Sequence, residues 1–271
     1  MAFANLLRVA VLRCFAIPDQ IAQERGQFDA IFATWIQAAV KTRNNKRPAS
    51  DQVVAEVKGW DVVGKRQYPD LTEVDVLIVT GSTASAYDDE PWIHQLSDFL
   101  RDVYANHPLI KIFGGCFGHQ IISHALLGSY GVRVEKNPAG WEIGVHQVDL
   151  SSEFSSQFPD VLNTSKVSYQ FLHGDHVVTK EATLPRNWIE MGSSSLCAVQ
   201  GLLDPGRVLT IQGHPEFDRF INGLSTSSLG DSGAISKERL DGFLKLVDQE
   251  DNADLVGEVT MEFVCQPTMP R

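Results

Sequence analysis

The sequence predicts an α/β protein built on an open, mostly parallel sheet, with helices on both faces and a small antiparallel edge region. Three observations lead to this class. Short apolar runs rich in β-branched residues alternate with longer amphipathic stretches, which is the pattern of parallel strands joined by crossover helices. The runs are strand-sized, as at 76–79, and none approaches the ~20 residues that span a bilayer. From residue 132 to about 203 the texture changes to closely spaced short strands, so the antiparallel region is expected there.

The elements follow in order. Residues 6–12 read as the first strand; Arg8 and Arg13 interrupt the apolar continuity that the core of a secretory leader needs. After Pro18, residues 20–40 place Ile21, Phe28, Ile31, Phe32, Trp35 and Ile36 near helical spacing, and the basic, polar stretch 41–48 reads as a loop. Residues 53–63 form a strand region broken by Gly59, 68–70 a turn, and 74–80 a buried strand ending at Gly81-Ser82. Pro91 suits a first helical position, so 91–104 is a helix, with Asp88, Asp89 and Glu90 capping its start. Residues 109–113 are a strand that runs through Gly114-Gly115-Cys116-Phe117-Gly118 into a helix from about 119 to 127, closed by Gly128. Residues 145–150 and 196–203 are short strands, and 208–212 is a last strand leading into Gly213-His214-Pro215-Glu216. The stretch 223–233, rich in Ser, Gly and Thr, is expected to be mobile, and helices from 236 and 252 close the fold. With no repeat and no linker, a single domain over 1–271 is expected, with C-terminal helices at about 235–265.

Composition narrows the function. The chain has 271 residues, 43% hydrophobic and 21% charged, enough to bury a core unaided. Its net charge of −11 repels phosphate backbones, so no nucleic-acid partner is expected. Without a leader or a spanning segment, no membrane association and a cytoplasmic location are expected. The four cysteines, Cys14, Cys116, Cys197 and Cys265, contain no C-x-x-C pair. The segment His173-Gly174-Asp175-His176 lacks companion ligands at metal spacing, and there is no P-loop or G-x-G-x-x-G, so neither a metal nor a cofactor is expected.

The strongest chemical signal is Gly114-x-Cys116-x-Gly118 between a strand and a helix, a nucleophile elbow carrying cysteine. Small residues on both flanks relieve the crowding of a sharp turn, and a helix N-terminus favours the thiolate. The alternative is a buried cysteine in a glycine-rich turn. A thiolate nucleophile needs a group to protonate the leaving amine, and of eight histidines His214 follows directly on a strand's carboxyl end. Glu216, two residues on, falls on the same side of extended backbone and can orient the imidazole.

These segments resemble the class I glutamine amidotransferase family, specifically stand-alone members similar to the amidotransferase domain of GMP synthase and to γ-glutamyl peptidases. The likeness is carried by Val79-Thr80-Gly81-Ser82, the stretch from Gly114 to Gln120, Leu172-His173-Gly174-Asp175-His176-Val177, and Gln212-Gly213-His214-Pro215-Glu216-Phe217, and it implies a flavodoxin-like fold with its core at about 5–220. The resemblance implies a Cys116, His214, Glu216 triad that cleaves the γ-glutamyl amide of glutamine, or of a γ-glutamyl conjugate in a small-molecule pathway, through a γ-glutamyl thioester. It further implies an oxyanion hole from the N–H groups of Gly81 and Phe117, and substrate contacts from Gln120, His173 and Asp175. Gly115 stands where relatives usually carry Ile or Val, and Leu172 where a polar residue often precedes His-Gly. Segments 41–48 and 223–233 would shape the pocket rim. Two other readings stand beside this one: a glutaminase subunit delivering ammonia to a separate synthase, and a non-catalytic binding protein that retains the fold.

Overall fold

The computed structural model describes residues 5–267. Residues 1–4 and 268–271, which the single-domain expectation includes, lie outside the described residues. Among the described residues the strands are β1 Asn5–Arg13, β2 Val53–Asp61, β3 Val76–Val79, β4 Lys111–Gly115, β5 Arg133–Lys136, β6 Glu142–Leu150, β7 Lys166–His173, β8 Asp175–Val178, β9 Ile189–Glu190, β10 Gly192–Ser193, β11 Gly201–Asp204 and β12 Val208–Ile211. The helices are α1 Asp19–Arg25, α2 Phe28–Asn45, α3 Pro91–Asn106, α4 Phe117–Leu127, α5 Ser152–Ser155, α6 Arg219–Asp231, α7 Lys237–Val247 and α8 Ala253–Cys265.

The main sheet runs β2-β1-β3-β4-β12-β11-β9. Its first five strands are parallel, while β11 and β9 form an antiparallel edge. This is the mixed architecture that the alternating pattern predicts. Side-chain alternation sends Val9, Val11, Val76 and Ile78 to one face, against Phe32 and Trp35 of α2 and Phe263 of α8. Ala10, Leu12, Leu77 and Val79 face the other way, onto Leu96 and Leu100 of α3 and Ile121 and Ile122 of α4. The two strand arginines sit where carboxylates meet them: Arg8 grips Asp75 through Nε and Nη2 at 3.0 and 2.8 Å, and Arg13 reaches Asp29 at 3.4 Å. Beyond the main sheet, β6 pairs with β7 and β10, and β5 with β8.

Several local expectations are corrected. The single helix over 20–40 is two helices, because Gly26 turns the chain with φ +78° and α2 starts afresh at Phe28. The polar stretch 41–48 is not all loop: α2 continues to Asn45, its polar face held by Asn44, which exchanges hydrogen bonds of 2.8 and 3.1 Å with the Val53 backbone. Gly59 does not break β2; a Cβ there would lie 2.7 Å from Asp29 Cγ, so glycine makes room for that side chain within a continuous strand. The acidic run does not cap α3 with a side chain: Asp88 accepts from Ser85 N and Asp89 meets His94, both at 2.8 Å.

The largest correction concerns 223–233, which is helical as far as Asp231 rather than a mobile loop. Asp218 caps α6 by accepting from Ile221 N at 2.8 Å, and the Ser225 and Ser227 hydroxyls donate to carbonyls four residues back, each at 2.8 Å. Buried Asn222 ties the helix to β7 through Gln170 Oε1 and Phe171 O. Helices from 237 and 253 follow as expected.

Phe113 of β4 is fully buried against Phe32 and Trp35, with ring centroids 6.4 and 5.8 Å apart. Phe113→Ala is expected to cost about 3–5 kcal/mol in denaturant unfolding; a loss below about 1 kcal/mol would contradict this packing.

Candidate active site

Three parallel strands end side by side. The register pairs Val79 of β3 with Gly114 of β4, and Ile211 of β12 with Gly115, so Gly81, Cys116 and His214 emerge together beyond the carboxyl ends of these three strands. Cys116 is the N-cap of α4 at φ +52°, ψ −109°, a conformation that L side chains adopt at a cost of roughly 1–3 kcal/mol. Neighbouring glycines make this geometry possible. A Cβ at Gly118 would lie 2.1 Å from the Val79 carbonyl oxygen, and one at Gly114 2.6 Å from the Gly118 backbone. Gly115 differs, because a Cβ there would meet nothing nearer than 3.8 Å. The Cys116 N–H donates to Ile211 O at 2.9 Å and fixes the elbow to β12.

His214 is buried beyond β12, its N–H donating to Gln170 O at 2.7 Å. Pro215 separates it from Glu216, and His214 Nδ1 lies 2.8 Å from Glu216 Oε1, which leaves Nε2 as the ring nitrogen free of Glu216. Phe217 stacks on the imidazole at 4.0 Å between centroids and 9° between planes. On the Gly81 loop, a Cβ at Gly81 would fall 2.9 Å from His214 Cε1 and 3.8 Å from Cys116 Cβ, so glycine is what lets that backbone approach both side chains. Burial by itself lowers the His214 pKa; the adjoining Cys116 and Glu216 outweigh burial and push it up to about 10.

Cys116, Gly81, Gln120, His173, Asp175 and His214 all line one cleft of about 640 Å³. The Phe117 N–H belongs to the first turn of α4, which has no intrahelical acceptor for it. The side chains of Gln120, His173 and Asp175 are already engaged. Gln120 Nε2 donates to Asp175 O at 3.0 Å and Gln212 Oε1 at 3.2 Å, and the Ser85 hydroxyl donates to the Asp175 carboxylate. His173 spends Nδ1 on Asp175 O and Nε2 on Glu142 Oε2, both at 2.8 Å. The structure thus brings these three residues to the cleft as members of one bonded rim.

Sequence reasoning missed Glu142, which anchors that rim. It is fully buried, paired with His173 across the β6–β7 ladder, and accepts from Ser194 Oγ and from Gln200 Nε2 at 2.8 Å. Burial opposes its ionisation, but the bonds from His173, Ser194 and Gln200 prevail and hold its pKa below the ordinary carboxylate value of 4.5. The available signal was a lone Glu opening an apolar strand. Among the other cysteines, burial pushes the Cys14 and Cys197 thiols up to about 12, and neither lines the cleft.

A mixed α/β sheet with a glycine-flanked cysteine at a strand-to-helix turn defines an elbow-type α/β protein. More particularly, the chain belongs to the class-I glutamine amidotransferase family, whose model matches residues 38–225. A putative glutamine amidotransferase-like protein of Schizosaccharomyces pombe is 31% identical over 76% of this chain and 83% of its own length. Gamma-glutamyl peptidase 3 of Arabidopsis thaliana is 28% identical over 61% of this chain and 66% of its own. In fold, a glutamine amidotransferase from Thermotoga maritima superposes with a TM-score of 0.63 at 17% identity, covering 95% of this chain and 98% of that one.

Two expectations follow from the geometry. Gly118→Ala should abolish soluble, cooperatively folding protein or cost at least about 3 kcal/mol, because backbone lies in the way, whereas Gly115→Ala should stay within about 1 kcal/mol of wild type. Equal effects in denaturant melts would contradict this asymmetry. Because the Glu142 pKa is depressed in the folded state, its ionisation stabilises the fold fully above pH about 4.5, and that contribution fades as pH falls through the lower folded value. The stability gap between wild type and Glu142→Gln should therefore narrow on acidification; a gap independent of pH would contradict it.

Proposed function

We propose that the protein is a cysteine-nucleophile amidohydrolase that cleaves the γ-glutamyl amide bond of glutamine or of a γ-glutamyl conjugate, by a Cys116, His214, Glu216 triad. The observation that carries this reading is the convergence of Cys116 and His214 at adjoining strand ends, with Glu216 2.8 Å behind the imidazole. Family membership and the γ-glutamyl peptidase among its relatives support the bond type.

In this mechanism the Cys116 thiolate attacks the side-chain carbonyl carbon of the substrate. The C–S bond forms, and the carbonyl π electrons move to oxygen, where the N–H groups of Gly81 and Phe117 receive the oxyanion. As the intermediate collapses, the C–N bond breaks and His214 Nε2 gives its proton to the departing nitrogen, releasing the amine and leaving a γ-glutamyl thioester. His214, now neutral, takes a proton from water as its oxygen attacks the thioester carbon. The C–S bond then breaks and glutamate leaves; the thiolate and imidazolium are restored. Glu216 orients the ring and favours its protonated form, consistent with the raised His214 pKa. Gln120, His173 and Asp175 hold the rim that receives the glutamyl end.

The test is mass-spectrometric turnover of glutamine and γ-glutamyl amides by the purified protein, with variants. Cys116→Ser should abolish turnover while leaving circular dichroism unchanged, and His214→Ala should lose about 10⁴-fold or more. Glu216→Gln should lose roughly 10-fold to 100-fold less than His214→Ala, since orientation alone is removed. Protonated His214 is the proton donor, so activity should persist until pH approaches its pKa of about 10. Glu216→Gln should move that alkaline limb to lower pH. Equal, mild losses at all three positions would sink the triad.

A further inference from the structure

Cys116 and His214 occupy one part of a cleft far larger than ammonia release requires. Its volume of about 640 Å³ lies within the range of roughly 300–1,000 Å³ that encloses drug-sized ligands. The rest is lined mainly by apolar groups, with serines of α6 beside them: Phe15, Ile17 and Ile21 from the β1–α1 segment, Trp141 just before β6, Leu172 of β7 and Leu229 of α6. Ile17 and Ile21 are buried, while Phe15, Trp141, Leu172 and Leu229 are half-buried and keep surface available for contact. Among the described residues lining the cleft, Asp175 is the one acidic side chain, and it already accepts from Ser85. Lys136 is the one lysine or arginine, exposed at the end of β5.

These observations have a common chemical meaning. An apolar lining gains little from ammonia and disfavours a cationic group, for which no unengaged carboxylate is at hand. It gains about 25 cal/mol for each Å² of apolar ligand surface that it covers. Lys136 supplies a positive charge suited to a carboxylate.

We propose that this apolar part of the cleft is the leaving-group subsite, and that the substrate is a γ-glutamyl amide of an apolar amino acid, aromatic or branched, rather than glutamine. The proposal rests on the γ-glutamyl reading of the site and deepens it. The amine side chain lies among Phe15, Leu172 and Leu229, its carboxylate meets Lys136, and the scissile carbonyl faces Cys116. Cleavage releases glutamate and the free amino acid, with water as the only co-reactant.

The experiment compares kcat/KM for γ-glutamyl-phenylalanine, γ-glutamyl-lysine and glutamine, and measures binding of the same three compounds to Cys116→Ser by calorimetry. The expected result is a preference for the phenylalanine conjugate over both others of about tenfold or more, in turnover and in binding. Phe15→Asp should lower the phenylalanine-to-lysine ratio by about tenfold, and Leu229→Asp, on a different element, should move it the same way. Glutamine as the best substrate, or variants that scale all three compounds alike, would overturn the subsite. Selective binding of the phenylalanine conjugate by Cys116→Ser without any turnover by wild type would instead retain the subsite and reject the hydrolase reading.

Discussion

The site depends on how closely α4 approaches the sheet. Gly118 rests against the carbonyl of Val79 at a distance that admits no side chain, and Gly114 rests against Gly118 in turn. This approach forces the chain to leave β4 and enter α4 within one residue, and Cys116 absorbs the turn at φ +52°. The strain is offset by what surrounds it: Phe113 anchors β4 in the core, and the Cys116 N–H is held by Ile211 of the next strand. The same β4–β12 pairing that holds the elbow also delivers His214 beside it. Backbone sterics, sheet register and the placing of the Cys116 and His214 side chains are thus one constraint seen at three scales.

Electrostatics complete the arrangement. His214 is buried, and burial alone would leave it neutral; the Cys116 and Glu216 groups reverse that preference. Phe217 closes one face of the ring and excludes competing partners. A second buried pair, His173 with Glu142, does similar work on the rim: it spends a charged side chain to fix the loop whose backbone borders the cleft. Breaking such a pair by removing one partner is costly, because the other is left buried and uncompensated.

Much of this was legible in the sequence, for identifiable reasons. The parallel strands announce themselves by apolar runs, and the elbow by glycines whose spacing has a steric cause. His214 and Glu216 do meet at 2.8 Å, but not through the extended backbone expected there: Pro215 and Glu216 form a turn closed by the Phe217 N–H donating to His214 O at 3.1 Å. Less legible was whatever depends on partners distant in sequence. Segment 41–45 looks like a loop until Asn44 is seen bonding to Val53. The serines of α6 look like a mobile linker until Asn222 is seen clamped to β7. Glu142 carries no motif, and its role exists only because the ladder sets it against His173. The apolar cleft is likewise assembled from the β1–α1 segment, Trp141 ahead of β6, β7 and α6, segments with no common signal along the chain.

The central claim is that Cys116, alone among the four cysteines, becomes acylated by the γ-glutamyl group during turnover. The most direct measurement is a rapid acid quench of wild-type protein mixed with a γ-glutamyl substrate, followed by peptide mapping by mass spectrometry. The account expects a γ-glutamyl adduct on the peptide carrying Cys116, and none on those carrying Cys14, Cys197 or Cys265. Turnover with Cys116 unmodified throughout, undiminished in Cys116→Ser, would contradict it.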